Sequence, residues 1–146
     1  MKLTNKGRYA VQALADIASS EDGKPTNLTD ISLRQGISIS FLEQIFLKLK
    51  KRNLVKSQRG PFGGYILSKP SNEITLSSII EAVDEKVKTV ACKKDSKKGC
   101  HGKSMKCITH NLWDELETHI NKFFENNTLN DILFKESGNN SKELQQ

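Results

Sequence analysis

The 146-residue sequence predicts a mainly α-helical fold with one small β-hairpin and a long C-terminal helix. Apolar residues recur at spacings of three and four before residue 50 and again near residue 80, as they do on one face of a helix. A glycine-rich turn at residues 60–64 separates two short apolar runs, which is typical of a β-hairpin. From residue 108 a wide apolar stripe continues for about four or five helical turns. This order predicts a winged helix-turn-helix domain followed by a long dimerisation helix.

Polar residues mark the ends of the first two helices. Thr4 can cap a first helix, which ends near Ser19. Asn27 or Thr26 can cap a short second helix, and Gly36 is a candidate left-handed terminator after it. The residues expected to face the core are Tyr9, Ala10, Ala13, Leu14, Ile17 and Ala18 of the first helix and Leu28, Ile31 and Leu33 of the second.

The third helix carries candidate base-reading residues. A short helix, a turn containing glycine, and a second helix with a polar start and a basic end are typical of a helix-turn-helix motif, whose second helix enters the major groove of DNA. Ser40 and Glu43 are spaced as a capping box, although Ser38 is an alternative cap. Gln44 can pair with adenine, and Glu43 can accept a hydrogen bond from cytosine. The DNA-binding candidates on this helix are Ser38, Ser40, Glu43, Gln44 and Lys51, and its buried stripe is Leu42, Ile45, Phe46 and Leu49.

Residues 54–67 predict the hairpin that forms the wing. Glycines in its turn allow positive φ angles and a close approach to neighbouring backbone, which makes Gly60 and Gly63 candidates for contact with DNA. Arg59 lies at the tip, where a guanidinium can enter a narrow minor groove. The wing therefore adds a second predicted DNA contact to that of the third helix.

Helical spacing continues after the wing. Residues 76–83 predict a helix that packs back on the domain, and Thr128 can cap a last short helix. The apolar stripe of the long helix is buried most simply against a second copy of the chain, whereas the alternative is that the helix folds back on its own domain. The predicted units are a DNA-binding domain at 1–85, a cysteine-bearing loop at 86–107, the dimerisation helix with the short last helix at 108–135, and a disordered tail at 136–146.

Positive charge is concentrated in the N-terminal half. Residues 1–70 hold 12 Lys and Arg against 5 Asp and Glu, a balance of +7, whereas residues 71–146 hold 11 against 12, a balance of −1. A basic half of this kind favours a polyanion partner, most simply double-stranded DNA, although composition alone also fits a protein of the membrane surface. The N-terminal apolar stretch is interrupted by polar residues, so we expect no signal peptide, no membrane span and a cytoplasmic location.

Residues 92–110 hold all three cysteines and two of the three histidines. Cys92, Cys100, Cys107 and His110 follow the pattern C-x7-C-x6-C-x2-H, which predicts a metal or iron-sulfur site. Structural zinc sites usually include a C-x2-4-C pair, and these cysteine gaps are wider. Iron-sulfur clusters tolerate wide gaps, and histidine can replace cysteine on one iron.

Alternatives to that site stay open on spacing alone. Zinc and metal-free redox thiols remain possible, and His101 is an alternative ligand to His110. Residues 86–106 contain eight lysines and one acidic residue, which favours a net negative [2Fe-2S] centre but also fits a solvated loop. No nucleophile elbow, oxyanion loop or substrate motif accompanies the cysteines, so we expect neither an enzyme nor a small-molecule substrate.

Several motifs together resemble the iron-sulfur cluster regulator (IscR) type of winged-helix transcription regulators. They are LTNKGRYAV near the start, ISIS followed by FLEQIF, RG-x-x-GGY at 59–65, AVDE at 82–85, and the three cysteines with His110 followed by LW. The resemblance covers about residues 1–134. It implies a homodimer with crossing long helices, a [2Fe-2S] cluster on three cysteines and one histidine, and control of genes for cluster assembly. It also implies that Ser40, Glu43, Gln44 and Arg59 face DNA.

The sequence departs from that family at a few positions. The gaps between cysteines are longer than the usual five residues, and Phe62 occupies a wing position that is often glycine. A nitrite-responsive relative uses an acidic residue near the N-terminus as its fourth ligand, whereas Arg8 here favours His110. The predicted function is therefore a cluster-dependent transcription regulator, expected to be a repressor. The alternatives are a zinc-stabilised DNA-binding protein without a sensing role and a metal-free thiol redox switch.

Overall fold

The computed structural model describes residues 4–20, 23–85 and 108–135. The predicted cysteine-bearing loop at 86–107 and the predicted tail at 136–146 lie outside these residues. Within them the chain is mainly helical with an antiparallel two-stranded hairpin, so the predicted fold class is confirmed. In chain order the elements are α1 (Asn5–Ala18), α2 (Leu28–Gln35), α3 (Ile39–Lys51), β1 (Val55–Gln58), β2 (Gly64–Leu67), a 3-10 turn (Ser71–Glu73), α4 (Leu76–Ala82), α5 (His110–Asn126) and α6 (residues 129–135).

The helix ends match the predicted caps in part. Asn27 caps α2 by accepting a hydrogen bond from a backbone N–H three residues later, at 2.8 Å. The predicted Ser40–Glu43 capping box of α3 is wrong, because α3 begins at Ile39 and Ser40 already lies inside it. The alternative, Ser38, is the cap, and its hydroxyl accepts from Phe41 N at 3.3 Å. Gly36 ends α2 in the left-handed region, with φ 68° and ψ 32°. Thr4 occupies the cap position of α1, but its side chain makes no capping hydrogen bond.

The first four helices and the base of the hairpin share one apolar core. All four predicted core residues of α3 are buried, as are Leu76, Ile79 and Ile80 of α4. Leu33 on α2 is the exception, because it is 79% exposed and not inward as predicted. It follows buried Ile31 by two residues, which is about 200° around a helix, so the two side chains lie on opposite faces.

The long helix α5 returns to the domain at its C-terminal end. Leu129 N donates to Ile74 O at 3.0 Å, and Leu76 N donates to Asn127 O at 2.9 Å, which joins the chain after α5 to the start of α4. Leu129 is fully buried in the core. Thr128 caps α6 as predicted, since its hydroxyl accepts from Asp131 N at 3.4 Å. The end of α5 is therefore anchored, while much of its apolar stripe faces outward.

Candidate nucleic-acid interface

The outer face of α3 presents the predicted DNA-contacting side chains. Ser40, Glu43, Gln44 and Lys51 are all exposed, and their spacing of three, four and eleven residues from Ser40 keeps them within about 100° of one another around the helix. Ser38 is also exposed at the cap position before the first turn. The opposite face is anchored in the core, so α3 can present this row only outward.

A polar network on α1 and α2 holds the helix-turn-helix unit in register. The carboxylate of Asp16 is only 3% exposed, and it accepts hydrogen bonds from Arg34 Nη2 at 2.7 Å and from Gln35 Nε2 at 2.7 Å. Gln12 Nε2 in turn donates to Gln35 Oε1 at 2.8 Å. Burial raises the pKa of Asp16, but the hydrogen bonds from Arg34 and Gln35 and the charge of Arg34 outweigh it and hold the pKa below its ordinary value. The network fixes α2, and with it the turn that leads into α3.

Two contacts fix the wing against α3. The rings of Phe46 on α3 and Tyr65 on β2 pack with their centroids 4.8 Å apart. At the surface, Lys50 Nζ donates to Ser57 Oγ on β1 at 3.0 Å. Sequence patterns gave no signal for the Lys50 contact, because it joins polar residues on two different elements. Through these contacts the recognition helix and the wing form one continuous surface.

The turn of the wing needs its glycines. Gly60 has a φ of +125°, a conformation that L side chains rarely adopt. Gly63 N donates to Gly60 O at 3.0 Å, and a Cβ on Gly63 would lie 2.4 Å from Gln58 O, so only glycine fits there. Arg59 is exposed beside this turn, and Phe62 at its tip is 90% exposed. The hairpin therefore presents a guanidinium and an aromatic ring outward.

Exposed cations surround both elements. They lie at the C-terminal end of α3, on β1, in the wing turn and just after β2, and such a patch attracts the phosphates of a nucleic-acid backbone. Its members are Lys50, Lys51, Arg52, Lys56, Arg59 and Lys69.

The two residues that precede the cysteine-bearing segment contact α1 and α3. Asp84, just after α4, forms an ion pair with Lys48 of α3 at 3.1 Å between Nζ and Oδ2. The pKa of Asp84 lies below its ordinary value because the Lys48 ammonium hydrogen-bonds its carboxylate and attracts its charge. The next residue, Glu85, is buried, and its carboxylate accepts a hydrogen bond from Thr4 N at the start of α1. Residue 86, with which the predicted cysteine-bearing loop begins, follows Glu85 directly in the sequence.

Of the four predicted cluster ligands, only His110 lies in the described part of the chain. It is the first residue of α5 and is half-buried. Cys92, Cys100, Cys107 and the alternative ligand His101 lie outside the described residues. Among residues 4–20, 23–85 and 108–135, no group of three or more His, Cys, Asp or Glu side chains could hold a metal ion. The ligand set thus stays a prediction.

Comparison with known protein families identifies the kind of protein that carries this surface. A family model described as Rrf2, iron-dependent transcriptional regulator, matches residues 3–135. The chain belongs to the Rrf2 family. An Rrf2 relative at 48% identity over 133 residues is the HTH-type transcriptional regulator IscR of Pectobacterium carotovorum, and the match covers 91% of this chain and 79% of that protein. The resemblance to IscR-type regulators is therefore confirmed.

Solved structures give the same fold. CymR, the global cysteine regulator of B. subtilis, matches with a TM-score of 0.75 at 27% identity over 90% of this chain and 95% of its own. IscR of T. potens matches with a TM-score of 0.72 at 32% identity, over 93% and 88% of the two chains. This Rrf2 protein is therefore a DNA-binding transcription regulator and not an enzyme. No helix in its described ranges combines the length and apolar content that a bilayer span requires.

Proposed function

We propose that this Rrf2 regulator binds operator DNA as a homodimer under the control of a [2Fe-2S] cluster, and that it represses genes for iron-sulfur cluster assembly and related functions. The observation that carries the proposal is the 48% identity with an IscR regulator over 133 residues, a match long enough to span the segment that contains all the cysteines. The family description as iron-dependent agrees with it. As a DNA-binding protein it would act in the cytoplasm.

The residues present suit such a cluster chemically. Cys92, Cys100, Cys107 and His110 supply three thiolates and one imidazole, a donor set that can hold two irons. Three thiolates and a neutral imidazole around a core of charge 2+ give a net charge of −1, and the neighbouring lysines would stabilise it. When bound, the cluster would supply a one-electron redox centre. The chain's own part is to hold that centre between α4 and the start of α5.

On the DNA side, the exposed row on α3 would read bases. Ser38, Ser40, Glu43 and Gln44 would meet base edges in the major groove, since they lie at the start of the helix. The contacts that position the protein on the DNA backbone would come from Lys51, Arg59, Gly60 and Gly63.

A second copy would cover the exposed stripe of α5. Leu112 and Phe123 are more than half exposed, at 56% and 53%, and Trp113 and Leu116 are exposed as well. A row of large apolar side chains this long on one helix favours a symmetric interface with the same helix of a partner. A dimer also presents two recognition helices to two half-sites, which suits a palindromic operator.

The experiment that tests the cluster is anaerobic purification followed by visible absorption spectroscopy and assays for iron, sulfide and zinc. We expect visible bands with about two irons and two sulfides per chain. Stoichiometric zinc in colourless protein from iron-replete cells would favour the zinc-stabilised alternative, and the absence of any metal would favour the thiol switch.

A matched pair of variants tests the fourth ligand. His110→Ala should weaken or strip the cluster, whereas His101→Ala should leave the absorption bands and the iron content unchanged. The reverse result would reassign the ligand to His101.

A further inference from the structure

A large apolar side chain lies in the middle of the polar row on α3. Leu47 is 71% exposed, whereas the two other leucines of the same helix, Leu42 and Leu49, are fully buried. It follows Gln44 by three residues and Glu43 by four, so it shares their face of the helix. The exposed face of α3 is thus not purely polar, because it carries one leucine at its centre.

DNA offers one apolar group to a side chain in this position. In the major groove the four base pairs present hydrogen-bond donors and acceptors, and only thymine adds a hydrocarbon group, its C5-methyl. A leucine cannot make a hydrogen bond to a base edge or a phosphate, and the thymine methyl is the apolar group that the base edges offer it in the groove. Isolated exposed leucines are common on protein surfaces, and it is the location of Leu47 within the DNA-facing row that gives it meaning.

We propose that Leu47 determines part of the operator specificity by packing against the C5-methyl of a thymine. Leu47 lies seven residues beyond Ser40, which is about 10 Å along the helix axis. Base pairs are stacked about 3.4 Å apart, so Leu47 would meet a different base pair from the one nearest the start of the helix. The proposal rests on the recognition face assigned above.

Uracil provides the direct test, because it differs from thymine at this edge only by the missing methyl. The operator is first selected from a random duplex library with the full-length protein as purified. Each thymine of the half-site is then replaced by uracil, in both half-sites at once, and Kd is measured for the native protein and for Leu47→Ala. At one thymine per half-site, we expect loss of the methyl to weaken native binding about fourfold per half-site. Leu47→Ala should bind the thymine and uracil operators equally.

Two control variants separate this contact from general effects. Leu47→Met keeps an apolar side chain and should retain the response to uracil. Leu33→Ala removes an equally exposed leucine, at 79%, from α2 and should also retain it. The proposal is overturned if the half-site contains no thymine whose methyl matters, or if Leu47→Ala loses the same affinity for both operators.

A further variant distinguishes failure of this proposal from failure of the recognition face. Gln44→Ala should change the base preference of the protein at one position of the half-site. If Gln44→Ala leaves every preference unchanged, the assignment of α3 as the reading helix is wrong. If Gln44→Ala changes a base preference, but Leu47→Ala does not abolish the response to uracil at any thymine, only the proposed role of Leu47 is wrong.

Discussion

Lys48 of α3 and Asp84 form an ion pair, with 3.1 Å between Nζ and Oδ2. Asp84 lies two residues after the end of α4 and two residues before the cysteine-bearing segment, which begins at residue 86. Asp84 has a φ of 58°, so the backbone turns sharply at this point. One residue later, Glu85 accepts a hydrogen bond from Thr4 N at the start of α1. Residues 84 and 85, which directly precede the cysteine-bearing segment, therefore contact α1 and α3, and α3 is the helix proposed to read DNA.

Asp84→Asn tests whether the ion pair between Asp84 and Lys48 couples the presence of the cluster to DNA affinity. Exposed ion pairs contribute little to stability, so the variant should unfold at nearly the native Tm. The ratio of DNA affinities between cluster-loaded and cluster-free protein should fall by at least about twofold, because the variant weakens the contact between residue 84 and Lys48 of α3. Titration of operator DNA with both forms gives this ratio. Glu81→Gln, which changes an exposed acid on α4, should leave the ratio at its native value. An unchanged ratio in Asp84→Asn would mean that the ion pair between Asp84 and Lys48 does not couple the cluster to DNA binding.

Arg59→Ala should weaken DNA binding by a similar factor on different sequences. If Arg59 meets a phosphate, the slope of log K against log salt concentration should fall by about one. Fluorescence anisotropy at four or five salt concentrations measures both quantities. Arg59→Lys keeps the charge and should retain most of the slope. Native affinity and slope in Arg59→Ala would show that the wing does not reach DNA.

Asp16→Asn should destabilise the domain because it removes the charge that Arg34 and Gln35 bind. We expect the free energy of unfolding at neutral pH to fall by about 1–3 kcal/mol. The folded-state pKa of Asp16 is lower than the unfolded value of about 3.9, so its contribution is present above that pH and is lost as the pH falls through the folded-state pKa.

Urea unfolding of the native protein and of Asp16→Asn at one protein concentration measures this difference. The difference should be constant from about pH 5 to pH 7 and should shrink below about pH 4. Glu73→Gln, at an exposed position, provides the control and should change stability little at any pH. A difference that persists in acid would mean that the charge of Asp16 is not what stabilises the fold.

Leu112→Glu should break the proposed dimer, because it places a charge in the middle of the exposed apolar stripe of α5. Sedimentation equilibrium should give twice the chain mass for the native protein and the mass of a single chain for the variant. Asn111→Glu adds the same charge on the adjacent residue, outside the stripe, and should remain dimeric. If Leu112→Glu still forms the dimer, the stripe is not the interface.

Local patterns predicted much of the fold. The spacing of apolar residues predicted every buried position of α3, and the caps at Asn27 and Thr128 were predicted from residue type alone. Leu33 was predicted wrongly because its apolar side chain suggested burial, although its spacing of two residues from Ile31 places it on the opposite face of α2. Each of these predictions depends on residues that lie within a few helical turns of one another along the chain.

Long-range contacts were beyond prediction from one sequence. Asp16 and Arg34 are 18 residues apart, and Leu129 and Ile74 are separated by 55 residues, so no local pattern joins them. The exposure of the polar row on α3 could be predicted because it depends on helical spacing. The contact of Lys50 with Ser57 and the ion pair of Lys48 with Asp84 could not. The ligand set rests on the chemistry of three cysteines and one histidine and on the family relationship.

Control of DNA binding by the cluster can be tested on a single preparation of the protein. Operators are selected with the anaerobic, cluster-loaded protein and again after the cluster has been removed under reducing conditions. The affinity of both forms is then measured for every selected site. We predict that at least one class of sites loses about tenfold or more in affinity when the cluster is removed, since allosteric coupling is typically about 1–3 kcal/mol. Equal affinities of the two forms for all selected sites would show that the cluster does not control DNA binding.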